Sequence, residues 1–334
     1  MNRGDFTWND GERTIRFGPG VVAEAVDVLG GPGYTLLTTE RTARMAPHVV
    51  EAATAVHDVP HGLVEDVAGQ LLPAVEGDRL VALGGGRVVD VTKSLAAART
   101  AAGDRTRALA VPTTLSGAEM TTGHRIAKGA ASDLRVRCAV VVNDPALSAS
   151  QPVPALAASA ANALGHAAEA PCTVRANPVA TLAALEAARG IAGAFRRRDP
   201  EPDRHALALG ALLAGYAIGA AGLGLHHVLA QTLVRAAGAA HGQANAVLLP
   251  HTLGALAWRF PGQAAALEEA LGEDPAEAAG RLASLARAER IRELGIDADA
   301  LPRCADVAAE RAELDATPPR ADRAELLAIY EGAW

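Results

Sequence analysis

The residues best suited to chemistry are an asparagine and three histidines in the second half of the chain. Asn162 and His166 are four residues apart, so on a helix both side chains lie on one face and can point at the same ligand. His227 and His241 follow in glycine-punctuated stretches. Imidazole nitrogens can bind a metal ion or move a proton, but a histidine bonded to an asparagine can also be part of the core. The spacing alone leaves both interpretations open.

Three consecutive glycines form a second candidate site in the first half. Gly84, Gly85 and Gly86 lie between the apolar run at 79–83 and a segment of helical period. Glycines at such a junction let the backbone approach a ligand, and the helix N-terminus offers free N–H groups to a phosphate. A glycine triplet can also be only a tight turn.

The next apolar run ends in hydroxyl residues. Thr113, Thr114 and Ser116 follow the run at 107–111 and can donate hydrogen bonds at the same edge of a sheet. The alternative is a capped helix start in which Ser116 and Glu119 form a capping box. Two loops of this kind after adjacent strands favour a nucleotide-binding site.

Hydrophobic period predicts the elements that must position these residues. Predicted strands cover residues 34–39, 79–83, 107–111 and 138–143, and predicted helices cover residues 21–29, 47–56 and 64–75. Buried strands that alternate with helices indicate an α/β unit with a mostly parallel sheet covered on both faces. In such sheets ligands bind beyond the carboxyl ends of the strands.

From Pro154 onward the strand signals stop and alanine-rich helical stretches take over, with predicted breaks at 196–203, 219–224 and 238–242. We therefore predict an α/β nucleotide-binding domain over residues 1–152 and an all-helical domain over residues 153–334, which carries the histidines.

Composition excludes several classes of function. The chain of 334 residues has 31 basic and 38 acidic residues without a basic block, so a nucleic-acid surface is not indicated. Its three cysteines are scattered, which fits neither a disulfide framework nor a zinc pattern and suits a reducing cytoplasm. No apolar run resembles a signal peptide or a membrane span. We expect a cytoplasmic protein with no membrane or nucleic-acid partner.

Taken in order, the motifs resemble those of the iron-containing alcohol dehydrogenase superfamily from about Phe17 to Trp334. The matching motifs are the glycine triplet with Asp90 and Lys93, Pro112-Thr113-Thr114, Asn143-Asp144-Pro145, Asn162-x-x-x-His166, His227, Ala240-His241-Gly242 and Leu248-Leu249-Pro250-His251. The resemblance implies the dehydroquinate synthase-like, group III alcohol dehydrogenase fold, with the active site in a cleft between two domains, a small-molecule substrate and a homodimer.

The resemblance also implies a bound NAD(H) or NADP(H). The residues carried over are Gly85, Gly86 and Asp90 for the pyrophosphate and nearby ribose, and Thr113, Thr114 and Lys128 for the nicotinamide half. Glu40 matches an acidic position that bonds the adenosine ribose. An acid there repels a 2′-phosphate and favours NADH, while Arg41 beside it leaves NADPH open.

The metal site of the superfamily uses one aspartate and three histidines. Here His166, His227 and His241 match the histidines, but Asn162 stands at the aspartate position. A neutral amide is a poorer ligand for a divalent cation than a carboxylate. The maleylacetate reductase branch shares this departure, and the resemblance to it implies reduction without an essential metal. If a metal is bound, these four residues are expected to hold it.

In that hypothesis the histidines act on the substrate directly, with His227 as the proton donor and Glu169 orienting His166. Three alternatives stay open: a metal-dependent alcohol dehydrogenase, a non-redox cyclase or lyase on the same fold, and a cofactor-binding protein without activity. Gln231 stands where the superfamily usually has a further histidine. Arg235 either favours an anionic substrate or lies on a solvated face.

Overall fold

The computed structural model describes residues 4–196 and 201–334, and the chain divides into two compact units, residues 1–150 and 151–334. Each unit has its own apolar core. In the first unit the core includes Leu36, Val81, Leu83 and Val111. In the second it includes Val228, Leu229 and Leu248.

The first unit is built on one seven-stranded sheet. Its strands are β1 (Phe6–Asp10), β2 (Arg13–Phe17), β3 (Tyr34–Thr38), β4 (Ala53–Asp58), β5 (Arg79–Gly84), β6 (Arg107–Pro112) and β7 (Val140–Asn143). Their order is β1-β2-β7-β6-β5-β3-β4, in which only the β1–β2 pair is antiparallel. The central strands β5 and β6 are almost continuously buried, as expected for parallel strands covered on both faces.

The helices of the first unit are α1 (Ala25–Val28), α2 (Glu40–Ala43), α3 (Pro47–Glu51), α4 (Val64–Leu71), α5 (Gly86–Ala101) and α6 (Pro145–Ser148). The α/β class and the fold implied by the resemblance are confirmed. The helix predicted over residues 47–56 is wrong in its second half, because α3 ends at Glu51 and β4 follows. The burial of β4 alternates residue by residue, which is the period of a half-buried edge strand.

The antiparallel ribbon of β1 and β2 was absent from the sequence prediction. Its signal is nevertheless present in the sequence. Alternating side chains flank Asp10-Gly11, and Gly11 has a φ of 62°, the left-handed conformation that a tight hairpin turn requires.

The second unit is helical throughout its described residues. Its helices are α7 (Val153–Glu169), α8 (Pro178–Arg196), α9 (Arg204–Ala221), α10 (Leu225–Ala237), α11 (His241–Arg259), α12 (Pro261–Leu271), α13 (Pro275–Leu285), α14 (Leu301–Ala309) and α15 (Arg323–Ala333). The breaks predicted at 219–224 and 238–242 are confirmed, since α9 ends before 222 and α10 ends before 238. The break predicted at 196–203 includes residues 197–200, which lie outside the described residues.

Small side chains allow these helices to pack closely. A Cβ atom on Gly210 of α9 would lie 2.9 Å from Cγ1 of Ile191 on α8, closer than such atoms normally approach. Among the described residues, α9 alone has the length and apolar composition to cross a membrane, with a mean hydropathy of 1.2. It is 56% buried inside the unit and packs against α7 and α8, as the core helix of a helical unit does.

Candidate active site

The glycine triplet joins β5 to α5 in the first unit. Gly84 ends the strand, Gly85 is extended at the helix N-cap, and Gly86 begins α5. A Cβ on Gly85 would lie 2.9 Å from Cγ2 of Thr114, and one on Gly86 would lie 2.8 Å from Cβ of Ser116. These two positions therefore require glycine because the loop after β6 lies directly against them.

Hydrogen bonds hold that loop against the strand end. The amide of Thr113 donates to the Gly84 carbonyl over 2.9 Å, and the amide of Gly86 donates to Thr114 Oγ1 over 3.3 Å. Thr113 is fully buried, and its Oγ1 has no hydrogen-bond partner in the structure. The two predicted loops thus meet at the carboxyl ends of β5 and β6.

No helix follows Ser116, so the capping-box interpretation is wrong. Ser116 Oγ accepts a hydrogen bond from the amide of Ala118 over 3.3 Å in a local turn. The physical reason is Lys93, which is 0% exposed on α5 and binds the following chain. Its Nζ donates to the carbonyls of Ala118 over 2.8 Å and of Gly123 over 2.7 Å. Because these carbonyls accept from Lys93, the segment from Ala118 to Gly123 is held in a non-helical conformation.

Asp90 forms an ion pair with Lys93, with 2.9 Å between Oδ1 and Nζ. Glu40 begins α2 directly after β3 and is exposed beside Arg44, 2.7 Å away. Lys128 is exposed near α4, where its ammonium group pairs with Asp66. The cofactor contacts assigned to Asp90, Glu40 and Lys128 stay predictions.

The first unit has features that fit a dinucleotide. The N-terminus of α5 lies at the carboxyl end of β5, where first-turn N–H groups lack intrahelical partners and favour an anion. The hydroxyl groups of Thr114 and Ser116 lie beside it. The unpartnered Oγ1 of Thr113 is a further buried group that a ligand can satisfy.

In the second unit, α7 and α10 bring two of the predicted histidines together. His166 on α7 and His227 on α10 stack with ring centroids 4.5 Å apart and an interplanar angle of 16°. Asn162 lies one turn before His166 and is also buried. His241 begins α11 and is exposed within the unit, yet it contributes to the electrostatic environment of both stacked rings.

Gly165 makes this approach of helices possible. A Cβ on Gly165 would lie 2.5 Å from Nε2 of His226 and 3.5 Å from Cε1 of His227. Any side chain at position 165 would displace the adjacent histidines of α10, so α7 needs a glycine beside His166.

Glu169 contacts a different histidine from the one predicted. Its Oε2 lies 2.8 Å from Nδ1 of His227, and its Oε1 accepts a hydrogen bond from the backbone amide of His226 over 2.6 Å. The prediction that Glu169 orients His166 is therefore wrong. Glu169 is the last residue of α7, and its carboxylate lies at the N-terminus of α10 rather than along α7.

His226 is a structural histidine. Its Nδ1 lies 2.8 Å from Thr252 Oγ1 and its Nε2 lies 3.1 Å from Asn245 Oδ1. Asn245 Nδ2 donates in turn to the His241 carbonyl over 2.8 Å. His226 therefore connects α10 to the first turn of α11 with both of its ring nitrogens engaged.

Burial sets the charge of the histidines. Desolvation lowers the pKa of His226 and of His227 to about 3, and it lowers the pKa of His166 well below its ordinary value. All three rings are neutral at pH 7. His166 Nδ1 and His227 Nε2 are buried without a hydrogen-bond partner in the structure. The stacked pair thus has two ring nitrogens free to interact with a ligand.

The donors do not fit a divalent cation well. Among the described residues, no three histidine, cysteine, aspartate or glutamate side chains converge in a way that could hold a metal ion. At the fourth position of the expected set, Asn162 offers a neutral amide where a carboxylate binds such ions more strongly.

Comparison with known proteins places these features among related enzymes. Residues 156–334 match the Fe-containing alcohol dehydrogenase family, C-terminal. The chain is 31% identical to maleylacetate reductase 1 of Rhodococcus opacus, over 99% of this chain and 96% of that one. It is 34% identical to the 1,3-propanediol dehydrogenase of Citrobacter freundii over 58% of this chain and 55% of that one.

A solved structure is similar over the whole length. The maleylacetate reductase of Agrobacterium tumefaciens superimposes with a TM-score of 0.81 and 27% identity, covering 100% of this chain and 99% of that one.

Proposed function

This chain belongs to the Fe-containing alcohol dehydrogenase family, and we propose that it reduces an enoyl or oxo acid of the maleylacetate type without an essential metal. The family is NAD(P)-dependent, and the chain is an oxidoreductase. The observation that carries the finer proposal is the buried stack of His166 and His227 beside Asn162. It offers neutral imidazoles with open nitrogens in place of a strong metal site.

The first unit is proposed to hold the cofactor. When bound, NAD(P)H supplies a hydride to the β-carbon of the activated double bond. The N-terminus of α5 binds the pyrophosphate, and Thr113 and Thr114 contact the nicotinamide half. Glu40 follows β3 and bonds ribose hydroxyls, and its charge repels a 2′-phosphate, so we propose that NADH is preferred.

The histidines are proposed to stabilise the negative charge of the reaction intermediate and to supply a proton to it. Hydride addition to an α,β-unsaturated carbonyl makes an enolate. Imidazole N–H groups stabilise the enolate oxygen, and the α-carbon takes up a proton. His227 is the proposed donor. Its Nε2 first takes a proton from water, the Glu169 carboxylate at Nδ1 balances the positive charge of the ring, and Nε2 then passes the proton to the α-carbon and returns to the neutral form.

An anionic substrate is supported by a guanidinium beside α10. Gln231 lies one turn after His227, and Arg311 Nη2 donates to Gln231 Oε1 over 3.1 Å. Arg311 also pairs with both carboxylate oxygens of Glu313, over 3.0 Å and 2.6 Å, so a substrate carboxylate would compete with Glu313 for it. Arg235 is exposed in the last turn of α10. We propose that Arg311 attracts a carboxylate of the substrate toward this face of α10.

The experiment is a cofactor-oxidation screen with NADH and with NADPH. The substrates are maleylacetate, related enoyl diacids and simple aldehydes, assayed after chelator treatment and again with added Fe²⁺ or Zn²⁺. We expect turnover of an enoyl diacid that metal does not increase. The alternative, a metal-dependent alcohol dehydrogenase, is motivated by the similarity to a 1,3-propanediol dehydrogenase. Stoichiometric iron or zinc needed for turnover of an alcohol or aldehyde would establish it instead.

We further propose that the protein works as a homodimer in the cytoplasm. Its three cysteines are buried thiols, which suits a reducing compartment. Light scattering coupled to size-exclusion chromatography tests the dimer.

A further inference from the structure

The contacts of Glu169 determine which nitrogen of His227 is available. The carboxylate is 0% exposed and each of its oxygens has a separate partner. Oε1 accepts from the backbone amide of His226, and Oε2 lies 2.8 Å from Nδ1 of His227. A backbone amide can only donate, so Oε1 can only accept.

Backbone donors surround the carboxylate of Glu169, since the amides of residues 224, 226 and 227 hydrogen-bond to it. These hydrogen bonds oppose burial, which raises the pKa of Glu169 overall. The N-terminus of α10 adds the favourable interaction of a helix dipole with a negative charge. A carboxylate that accepts from these backbone donors is placed to accept from Nδ1 of His227 as well, so we assign the proton between the two groups to Nδ1.

The proton on Nδ1 leaves Nε2 as the open nitrogen of a neutral ring. Nε2 of His227 is buried and has no hydrogen-bond partner in the structure. The neighbouring histidines differ from His227 in this respect. His226 has both nitrogens engaged, and His166 has no carboxylate partner among the hydrogen bonds of the described residues.

We infer that Glu169 is the positioning residue of His227: it holds the ring in the Nδ1–H tautomer and directs Nε2 to exchange a proton with the substrate. The inference rests on the proposed reduction for its proton-transfer step. The tautomer itself is a property of the free protein and is measurable without substrate.

Two substitutions at position 169 distinguish an effect on the tautomer of His227 from an effect on the packing around it. In Glu169→Gln, the amide oxygen can still accept from the His226 amide while the NH₂ group faces Nδ1 as a donor. The ring of His227 is then expected to change to the Nε2–H tautomer. Glu169→Asp keeps an acceptor-only group and is expected to keep the Nδ1–H tautomer with part of the activity.

Thr317 provides the matched control. Its Oγ1 accepts from the amide of Leu225 over 3.2 Å at the same helix N-terminus, but it does not contact His227 in any described hydrogen bond. Thr317→Val is expected to lower the melting temperature while leaving the tautomer and kcat near those of the parent.

The measurement is a long-range ¹H–¹⁵N correlation spectrum of the full-length protein labelled with ¹⁵N-histidine. His227→Asn identifies the signals of His227. We expect Nδ1–H in the parent and Nε2–H in Glu169→Gln. With the substrate found by the screen, kcat should fall by about 100-fold or more and KM should change by less than about threefold.

The outcomes distinguish the inference from the proposed function. An Nε2–H tautomer in the parent overturns the inference, as does a kcat of Glu169→Gln within about threefold of the parent. If no enoyl or oxo acid is reduced, the proposed function fails. The spectra of the parent and the two variants then still show whether Glu169 holds His227 in the Nδ1–H tautomer. If Glu169→Gln does not fold, the parent and Glu169→Asp decide it.

Discussion

Two buried polar clusters, one in each unit, differ in what their atoms contact. Around Lys93 in the first unit, the ammonium group has the carbonyls of Ala118 and Gly123 and the carboxylate of Asp90 as partners. Around His227 in the second unit, Nδ1 is engaged by Glu169 but Nε2 is open. Burial is equal in the two clusters, since both residues are at most 1% exposed.

The difference teaches how to separate structural from chemical polar groups. A buried donor whose capacity is filled by protein contributes to holding the fold together, and its removal costs stability. A buried nitrogen with an open lone pair contributes little to the fold and is free for a ligand. Substitutions in the two clusters should therefore affect different measurements.

The largest expected effect is on turnover. His227→Asn places an amide near the former Nδ1 position, so Glu169 keeps a donor while Nε2 is lost. We expect kcat to fall by about 10²- to 10⁴-fold, the usual contribution of general acid–base catalysis. Steady-state kinetics and a melting curve measure the two effects together. If the variant retained kcat within a few-fold of the parent, His227 would not be the proton donor.

The corresponding change in the first unit should affect stability instead. Lys93→Met leaves the carbonyls of Ala118, Thr121 and Gly123 and the Asp90 carboxylate without their cation. We expect the free energy of unfolding to fall by about 3–5 kcal/mol, the range for breaking a buried ion pair from one side. Denaturant titration measures it. A loss below about 1 kcal/mol would mean that water satisfies these carbonyls equally well.

Glu119 tests the comparison because it is buried in the first unit with Oε2 unpartnered. Burial raises its pKa from 4.5 to about 7. Between these values the unfolded chain has lost the proton and the folded chain has kept it, so this residue makes stability fall as pH rises from about 4.5 to about 7.

Glu119→Gln removes that titration. The variant should match the parent near pH 4 and should exceed it by about 1–3 kcal/mol at pH 8. Denaturant unfolding at both pH values measures the difference. An unchanged pH dependence would show that the carboxyl is ionised in the folded protein and has a partner there.

The smallest expected effect is a gain of metal affinity. Asn162→Asp restores a carboxylate beside His166 and should raise affinity for Zn²⁺ by about tenfold or more. Isothermal titration against the parent measures it. Equal affinities in parent and variant would show that Asn162 does not occupy the ligand position assigned to it.

The sequence predicts local features of this protein well. It predicts the apolar strands and the glycine breaks before α10 and α11. These features depend on the types and spacing of residues within a short segment, and local backbone geometry determines them. The predicted helix over 47–56 was wrong because an edge strand with alternating burial follows α3 after a single residue.

Contacts between residues far apart in the chain could not be predicted from the sequence. Glu169 lies three residues after His166, and helical spacing suggested that pair, yet its carboxylate binds His227, 58 residues further along. Lys93 matched a motif next to the cofactor loop, but its neighbours are carbonyls 25 to 30 residues away. Which buried atom remains open depends on such packing, and no local pattern encodes it.

The cap on α10 has a consequence for synthesis on the ribosome. Thr317 binds the first amide of the helix from a position 92 residues later in the chain. A nascent chain that already contains both stacked histidines therefore still lacks part of what fixes α10. The helix that carries His227 becomes fully anchored only after residue 317 has been synthesised, and this contact must close a loop of 92 residues, which local helix formation does not require.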